Sequence, residues 1–238
     1  MVKPVPVFPD AGLKFLRSLK RNNNRDWFNR HKGTYETAVK QPMVELTASL
    51  AEDFARFAPE MLVSKASLYR IHRDTRFSKD KSPYKTHVAA VFPRAGLGKH
   101  EGAAFYFHIA PAEVLIGGGL YMPLPEELNA VRSRIAVNYA TFTAIVNHRR
   151  FKKVCGDVDG ARLSRVPRGF AADHPAAEYL KLKQFLAART FPADAAIEPG
   201  FYKLLVETFE AMVPFIRFLN EPILQSRRIR ERQDAMLR

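Results

Sequence analysis

The sequence predicts an α+β fold: a central antiparallel sheet of about four strands packed against N-terminal and C-terminal helices. Three observations predict it. Both ends of the chain carry apolar residues at helical spacing. The middle carries short runs rich in β-branched and aromatic residues. The links between most of these runs are too short for helical crossovers, so the strands should pair antiparallel. The order of helices, strands and helices argues against a doubly wound parallel sheet.

Residues 1–9 read as an extended, proline-spaced lead-in. Asp10 is placed to cap a helix carrying Leu13, Leu16 and Leu19 on one side. Asn22-Asn23-Asn24 stops that helix, and Asn24 can cap the next, a short one with Trp27 and Phe28 that ends near Gly33. Pro42 sits like a first-turn proline. After it Met43, Leu46, Leu50 and Phe54 should form a buried face.

Four strand-like runs follow: 67–73, 86–92, 103–109 and 114–120. In the third, Phe105, Phe107 and Ile109 point one way and Tyr106 and His108 the other, which implies a sheet with one apolar and one more polar face. Gly117-Gly118-Gly119 lacks the strand–loop–helix setting of a nucleotide site and reads as close strand packing or a bulge. Pro125 opens a helix with Leu128, Val131 and Ile135 on one face. Asp173 before Pro175 reads as the cap of a helix running through Leu182 and Phe185 to about Arg189. The last long helix starts near Pro199, and Pro214 should kink or interrupt it. Residues 225–238 read as a solvated basic tail, and the whole chain, 1–238, as one domain.

The chain holds 38 Lys and Arg against 24 Asp and Glu, a formal charge of +14, which makes anions its natural partners. A hydrophobic share of 47% suits a chain with a real core. The single cysteine, Cys155, cannot form an intrachain disulfide. No leader-like apolar stretch opens the sequence and no apolar run is long enough to span a membrane, so a cytoplasmic protein without a membrane partner is expected.

The segment from Arg70 to His87 is the richest in chemistry. It holds six cations: Arg70, Arg73, Arg76, Lys79, Lys81 and Lys85. Among them lie Asp74, Asp80 and the hydroxyls of Thr75, Ser78, Ser82, Tyr84 and Thr86. Arginine offers a planar two-pronged donor, lysine a point charge, and hydroxyls fill the remaining acceptor positions of a phosphate or carboxylate. Strand alternation puts Arg70, His72 and Asp74 on one face, where Arg70 and His72 can join Tyr106 and His108. His72, His87 and His108 are candidates for acid–base work. The competing reading is structural: the two aspartates pair with neighbouring cations, and Tyr84 plugs a core.

The same residues resemble a bacterial family, the domain-of-unknown-function family DUF2461. The resemblance is carried by Asn22-Asn-Asn-Arg-Asp-Trp-Phe28 with Tyr35, and by Arg73-Asp-Thr-Arg-Phe-Ser-Lys-Asp-Lys-Ser-Pro-Tyr-Lys-Thr-His87. It continues in Gly117-Gly-Gly-Leu-Tyr-Met-Pro123, Pro167-Arg-Gly-Phe170 and Asp173-His-Pro175, and spans about Phe8 to Pro222. It implies one unit and supplies no reaction, substrate or catalytic residue.

Three functions fit these residues. The first is binding of a small phosphorylated or carboxylated molecule by the cationic segment, with a histidine handling protons. The second is nucleic-acid binding, with Tyr84, Phe77 or Tyr106 stacking on bases and the basic surface reaching Arg227, Arg228, Arg230 and Arg232. The third is docking of an acidic protein surface. His72, Asp74, His87 and His108 could converge on a metal, but no His, Cys or carboxylate spacing calls for one, and neither a cofactor nor the oligomeric state is written in the sequence.

Overall fold

The computed structural model describes residues 6–236. The first five residues of the lead-in and the last two of the tail lie outside them. Helices α1 (Asp10–Arg21), α2 (Arg25–Arg30), α3 (Lys32–Tyr35) and α4 (Gln41–Phe57) come first, with one π-type turn, Glu36–Lys40, leading from α3 into α4. Strands β1 (Val88–Phe92), β2 (Ala104–Ile109) and β3 (Glu113–Leu120) follow. Then come α5 (Pro125–Val137), α6 (Tyr139–Val146), α7 (Arg149–Cys155), α8 (Ala177–Leu180), β4 (Phe185–Pro192) and α9 (Phe201–Met236). The sheet is antiparallel in the order β1-β2-β3-β4, so the fold is α+β.

The chain forms two compact units. The first contains the residues up to Phe92 with Tyr106–Ile116 and Thr190–Glu207. In it, Leu13, Phe15, Leu16 and Leu19 of α1 and Met43, Leu46, Leu50 and Phe54 of α4 are buried. The expected faces of both helices are therefore their core faces. Asp10 is the first residue of α1 rather than its cap. Pro9 takes the cap position, its carbonyl accepting from Gly12 N at 2.9 Å, while Asp10 pairs with Lys14 at 2.6 Å. Asn24 does cap α2, accepting from Trp27 N at 2.9 Å.

The second unit contains Pro93–Phe105, Gly117–Arg189 and the residues from Thr208. Its core includes Phe142, Phe151, Phe185, Phe209 and Phe215. Phe105 packs edge-on against Phe209, and Phe142 lies between Tyr179 and Phe218. The Asn220 side chain closes the start of β2, accepting from Ala103 N and donating to Ala103 O, both at 2.8 Å.

Two expectations in this region are overturned, and one half of a third. The stretch through Leu182 and Phe185 is not a long helix: α8 is only Ala177–Leu180, and Phe185–Pro192 is strand β4. Leu182 and the alanines 187 and 188 have helical propensity, but the glycine triplet of β3 offers a strand partner whose missing side chains let the backbone of 185–188 approach closely. A Cβ on Gly117 would fall 2.4 Å from the Ala188 Cβ, and one on Gly119, whose φ is +132°, would fall 2.0 Å from Phe185 O. The triplet is thus close strand packing, as the sequence suggested. Asp173 caps no helix; residues 171–176 form turns in which His174 Nδ1 accepts from Ala176 N at 3.0 Å. Pro214 does not interrupt α9, which runs on through it and Pro222. Pro214 is exposed while the residues on both sides are buried, so the apolar face holds the helix across the missing donor.

Candidate functional site

Residues 67–73 are not a sheet strand. Ser67 ends a 3-10 turn, Lys65–Ser67, and the residues after it touch β1 at one bridge, Leu68 with Ala90, and through Tyr69 N, which donates to Ala89 O at 2.9 Å. Beyond them the chain turns into an irregular hairpin. His72 bridges Tyr84, Arg73 N donates to Pro83 O at 2.9 Å and Lys85 N to Ile71 O at 2.8 Å. The stem is therefore 71–73 against 83–85, and 74–82 is the tip. Pro83 and the residues around it cannot sustain a regular ladder.

The stem is anchored from α2 and its cap. The Asn23 side chain donates to Tyr84 O at 2.9 Å and accepts from Tyr84 N at 3.1 Å. The Tyr84 ring lies stacked on Phe28, centroids 4.0 Å apart and planes 18° from parallel, and Tyr84 is 5% exposed. His72 stands against the same two rings, at 6.3 Å from Phe28 and 5.3 Å from Tyr84. It does not join Tyr106 and His108, because the segment carrying it leaves the sheet edge before reaching them.

Most of the cations at the tip are engaged within the loop. Arg73 pairs with Asp80 and donates to Ser82 O at 3.2 Å and Ser78 Oγ at 3.3 Å. Arg76 clamps Asp74 with two guanidinium nitrogens, at 3.1 and 2.8 Å, and also through its backbone N–H at 3.2 Å. Lys81 Nζ donates to Thr75 O at 3.0 Å. Lys85 lies 4.9 Å over the Tyr69 ring. Hydrogen bonds from Arg76 hold the Asp74 carboxyl down at about 2. The Ser82 hydroxyl and backbone, then Arg73, do the same for Asp80, also to about 2. Among the described residues, Arg70 and Lys79 are exposed and form no ion pair or hydrogen bond. Phe77, at the far end of the tip, is 96% exposed. Beside the tip lies a shallow, wide-mouthed depression of about 680 Å³, lined by Asn23, Asn24, Arg25, Asp26, Thr75, Lys81, Ser82 and Pro83.

A second polar group lies on β2 and its neighbours. Tyr106 Oη is 3.1 Å from His108 Nδ1, and His108 Nε2 is 3.5 Å from Glu113 Oε1. His87 packs beside His108, centroids 5.4 Å apart. Burial, then the neighbouring His108 and Lys85, push His87 down to about 4. Burial also lowers His108, and Glu113 opposes the shift. The structure therefore brings His87, His108 and Tyr106 together and leaves His72 with Phe28. Among the described residues, no three His, Cys, Asp or Glu side chains converge as metal ligands.

A family model matches the chain over a range that includes both segments of this arrangement, the Asn22–Phe28 run and the Arg73–His87 run. The chain belongs to the DUF2461 family. The match covers residues 11–218, and the family is described only as a conserved hypothetical protein. No curated protein and no solved structure matches the chain. In this DUF2461 chain the two runs meet in space, where Asn23, Phe28 and Tyr84 form one joint. Sequence reasoning missed Asn23 as that joint, although an asparagine placed between a helix stop and a helix cap is a signal of a side chain bonded to backbone. Among the described residues, no helix is long and apolar enough to cross a membrane.

Proposed function

We propose that this protein binds a phosphate-bearing anion at the 70–87 loop. The observation that carries the reading is the division of labour among the cations. Arg73, Arg76 and Lys81 fix the loop on itself, while Arg70 and Lys79 stay exposed and outside any ion pair or hydrogen bond among the described residues, with Arg70 within electrostatic reach of Asp74. A fixed loop meets the ordering cost of binding in advance, so its uncommitted cations gain more from each contact. The adjoining depression adds Arg25 and hydroxyl and amide donors, and a net charge of +14 draws anions toward the surface. The depression is shallow, which favours an extended ligand held by several contacts over a small molecule held by enclosure.

The test is thermal unfolding with tripolyphosphate. A ligand that binds only the folded state raises the melting temperature. The expected result is a rise that disappears in an Arg70→Ala, Lys79→Ala variant. No rise with the wild-type chain, or the same rise in the variant, overturns the reading.

One observation favours a second reading, acid–base chemistry at His108. Glu113 beside Nε2 places the ring proton there and leaves Nδ1 to accept from the Tyr106 hydroxyl. Its test is an aryl sulfonyl fluoride, which forms a Tyr106 oxygen–sulfur bond as fluoride leaves and the phenol proton passes to His108. Labelling of Tyr106 that is lost in His108→Ala supports it, and labelling that survives contradicts it.

A further inference from the structure

We infer that the ligand of this loop is single-stranded nucleic acid, with one base stacked on Phe77 and neighbouring phosphates on Arg70 and Lys79. The inference rests on the anion-binding reading above and names its substrate class.

Three aromatic residues near the cations qualify as stacking platforms in the sequence, and the structure separates them. Tyr84 lies buried under Phe28, and Tyr106 is half-buried with its hydroxyl on His108. Phe77 is 96% exposed. A phenyl ring left in water forgoes the stabilisation its burial would bring. It is also held there by structure. Arg73 reaches Asp80, Ser78 and Ser82 across the tip, Asp74 and Arg76 lock together on one side of Phe77, and Ser78 N donates to Thr75 O at 3.3 Å beneath it. The Arg76 guanidinium stands 5.8 Å from the ring centroid, and Lys79 follows two residues later. The tip thus offers one flat apolar face flanked by Arg76, which is paired with Asp74, and by the exposed Lys79.

That pairing matches a nucleotide chain, which alternates flat bases with anionic phosphates. An inorganic polyanion has no surface for the ring. A duplex keeps its base faces stacked inside, out of reach of a ring on a turn. An enclosed mononucleotide needs a deeper cavity than the open depression beside the loop. On an anionic membrane a polybasic patch needs an acyl chain or a comparable apolar surface beside it, and the single ring at the tip buries far less than that.

The experiment is fluorescence anisotropy of labelled single-stranded DNA and RNA of about 12 nucleotides, a length within the usual site size. The full chain is used, with a duplex of the same sequence, tripolyphosphate as competitor and anionic vesicles as further arms. Single strands should bind at about 50 mM salt and weaken steeply as salt rises. Phe77→Ala should weaken binding about 5- to 140-fold, the range of one lost base stack, and Phe77→Trp should retain it. Phe77 touches no core, so unchanged thermal unfolding of Phe77→Ala confirms that only recognition is altered. Arg70→Ala with Lys79→Ala should reduce the salt slope by about 1.4, two phosphate contacts on a single strand. If tripolyphosphate displaces the strand while Phe77→Ala binds it normally, the anion site stands and the stacking inference falls. If neither oligonucleotide nor tripolyphosphate binds, both fall. Binding to vesicles or duplex in preference to single strands overturns the inference.

Discussion

Asn23 and Tyr84 hydrogen-bond to each other twice, side-chain amide to backbone, in the pattern of a neighbouring strand. The turn before α2 thereby stands in for a ladder that the irregular hairpin lacks. Asn220 does the same for Ala103 in the other unit. Asn23→Ala leaves both main-chain groups of a buried tyrosine unpaired. The expected cost is about 2–3 kcal/mol, read as a lower urea midpoint with unchanged slope. An unchanged midpoint would mean that water replaces the amide.

His87 should make stability depend on pH. Its folded value of about 4 lies below the unfolded value near 6.5. Above about 6.5 the group is neutral in both states and its contribution is full. As pH falls through the window down to about 4, the unfolded chain takes up a proton that the folded chain resists, and stability is lost. Allowing for solvent, the loss is on the order of 1 kcal/mol. Urea unfolding at the two ends of the window should show it in the wild type and not in His87→Gln. Asp74 and Asp80 titrate lower, at about 2 in the folded state, so their contribution is lost at more acid pH.

Gly119→Ala should be among the most damaging single changes. The new methyl meets Phe185 O at 2.0 Å on a backbone with φ of +132°. A backbone carbonyl cannot swing aside as a side chain can. A loss of about 3 kcal/mol or more is expected, whereas Gly200→Ala, with open space around it, should be nearly neutral. Equal unfolding midpoints for the two would contradict the β3–β4 packing.

Cys155 should be inert in the folded chain. It is buried, and burial pushes its thiol up to about 12 despite Arg150 and Arg189 nearby. A thiol reagent such as dithionitrobenzoate should react only after unfolding. Prompt reaction at neutral pH would contradict this burial.

The parts of the fold with strong periodicity were legible in advance. The faces of α1, α4 and α5 and the alternation of β2 follow from spacing alone, because one side of each element must be buried. Two of the misreadings share a cause. Residues 67–73 have strand composition but only isolated bridges, and Phe185–Pro192 has helix-compatible composition but joins the sheet. In both, the partner decides, and the partner is distant in sequence. In the site, the cationic loop was legible as a cluster of charge. Which cations are spent on the loop itself was not, since Asp74 and Asp80 each have several candidate partners within a few residues. The selection of Phe77 over Tyr84 and Tyr106 likewise depended on the Asn23–Tyr84 joint and the Tyr106–His108 contact.

The most direct test of the central claim is hydrogen–deuterium exchange of the full chain with and without a single-stranded oligonucleotide. The account predicts slower exchange in the segment from Arg70 to Lys85 and at the Asn23–Asp26 wall of the depression, lost in Arg70→Ala, Lys79→Ala. Protection confined to other segments, or no change at saturating oligonucleotide, would contradict the assignment of the ligand to this loop.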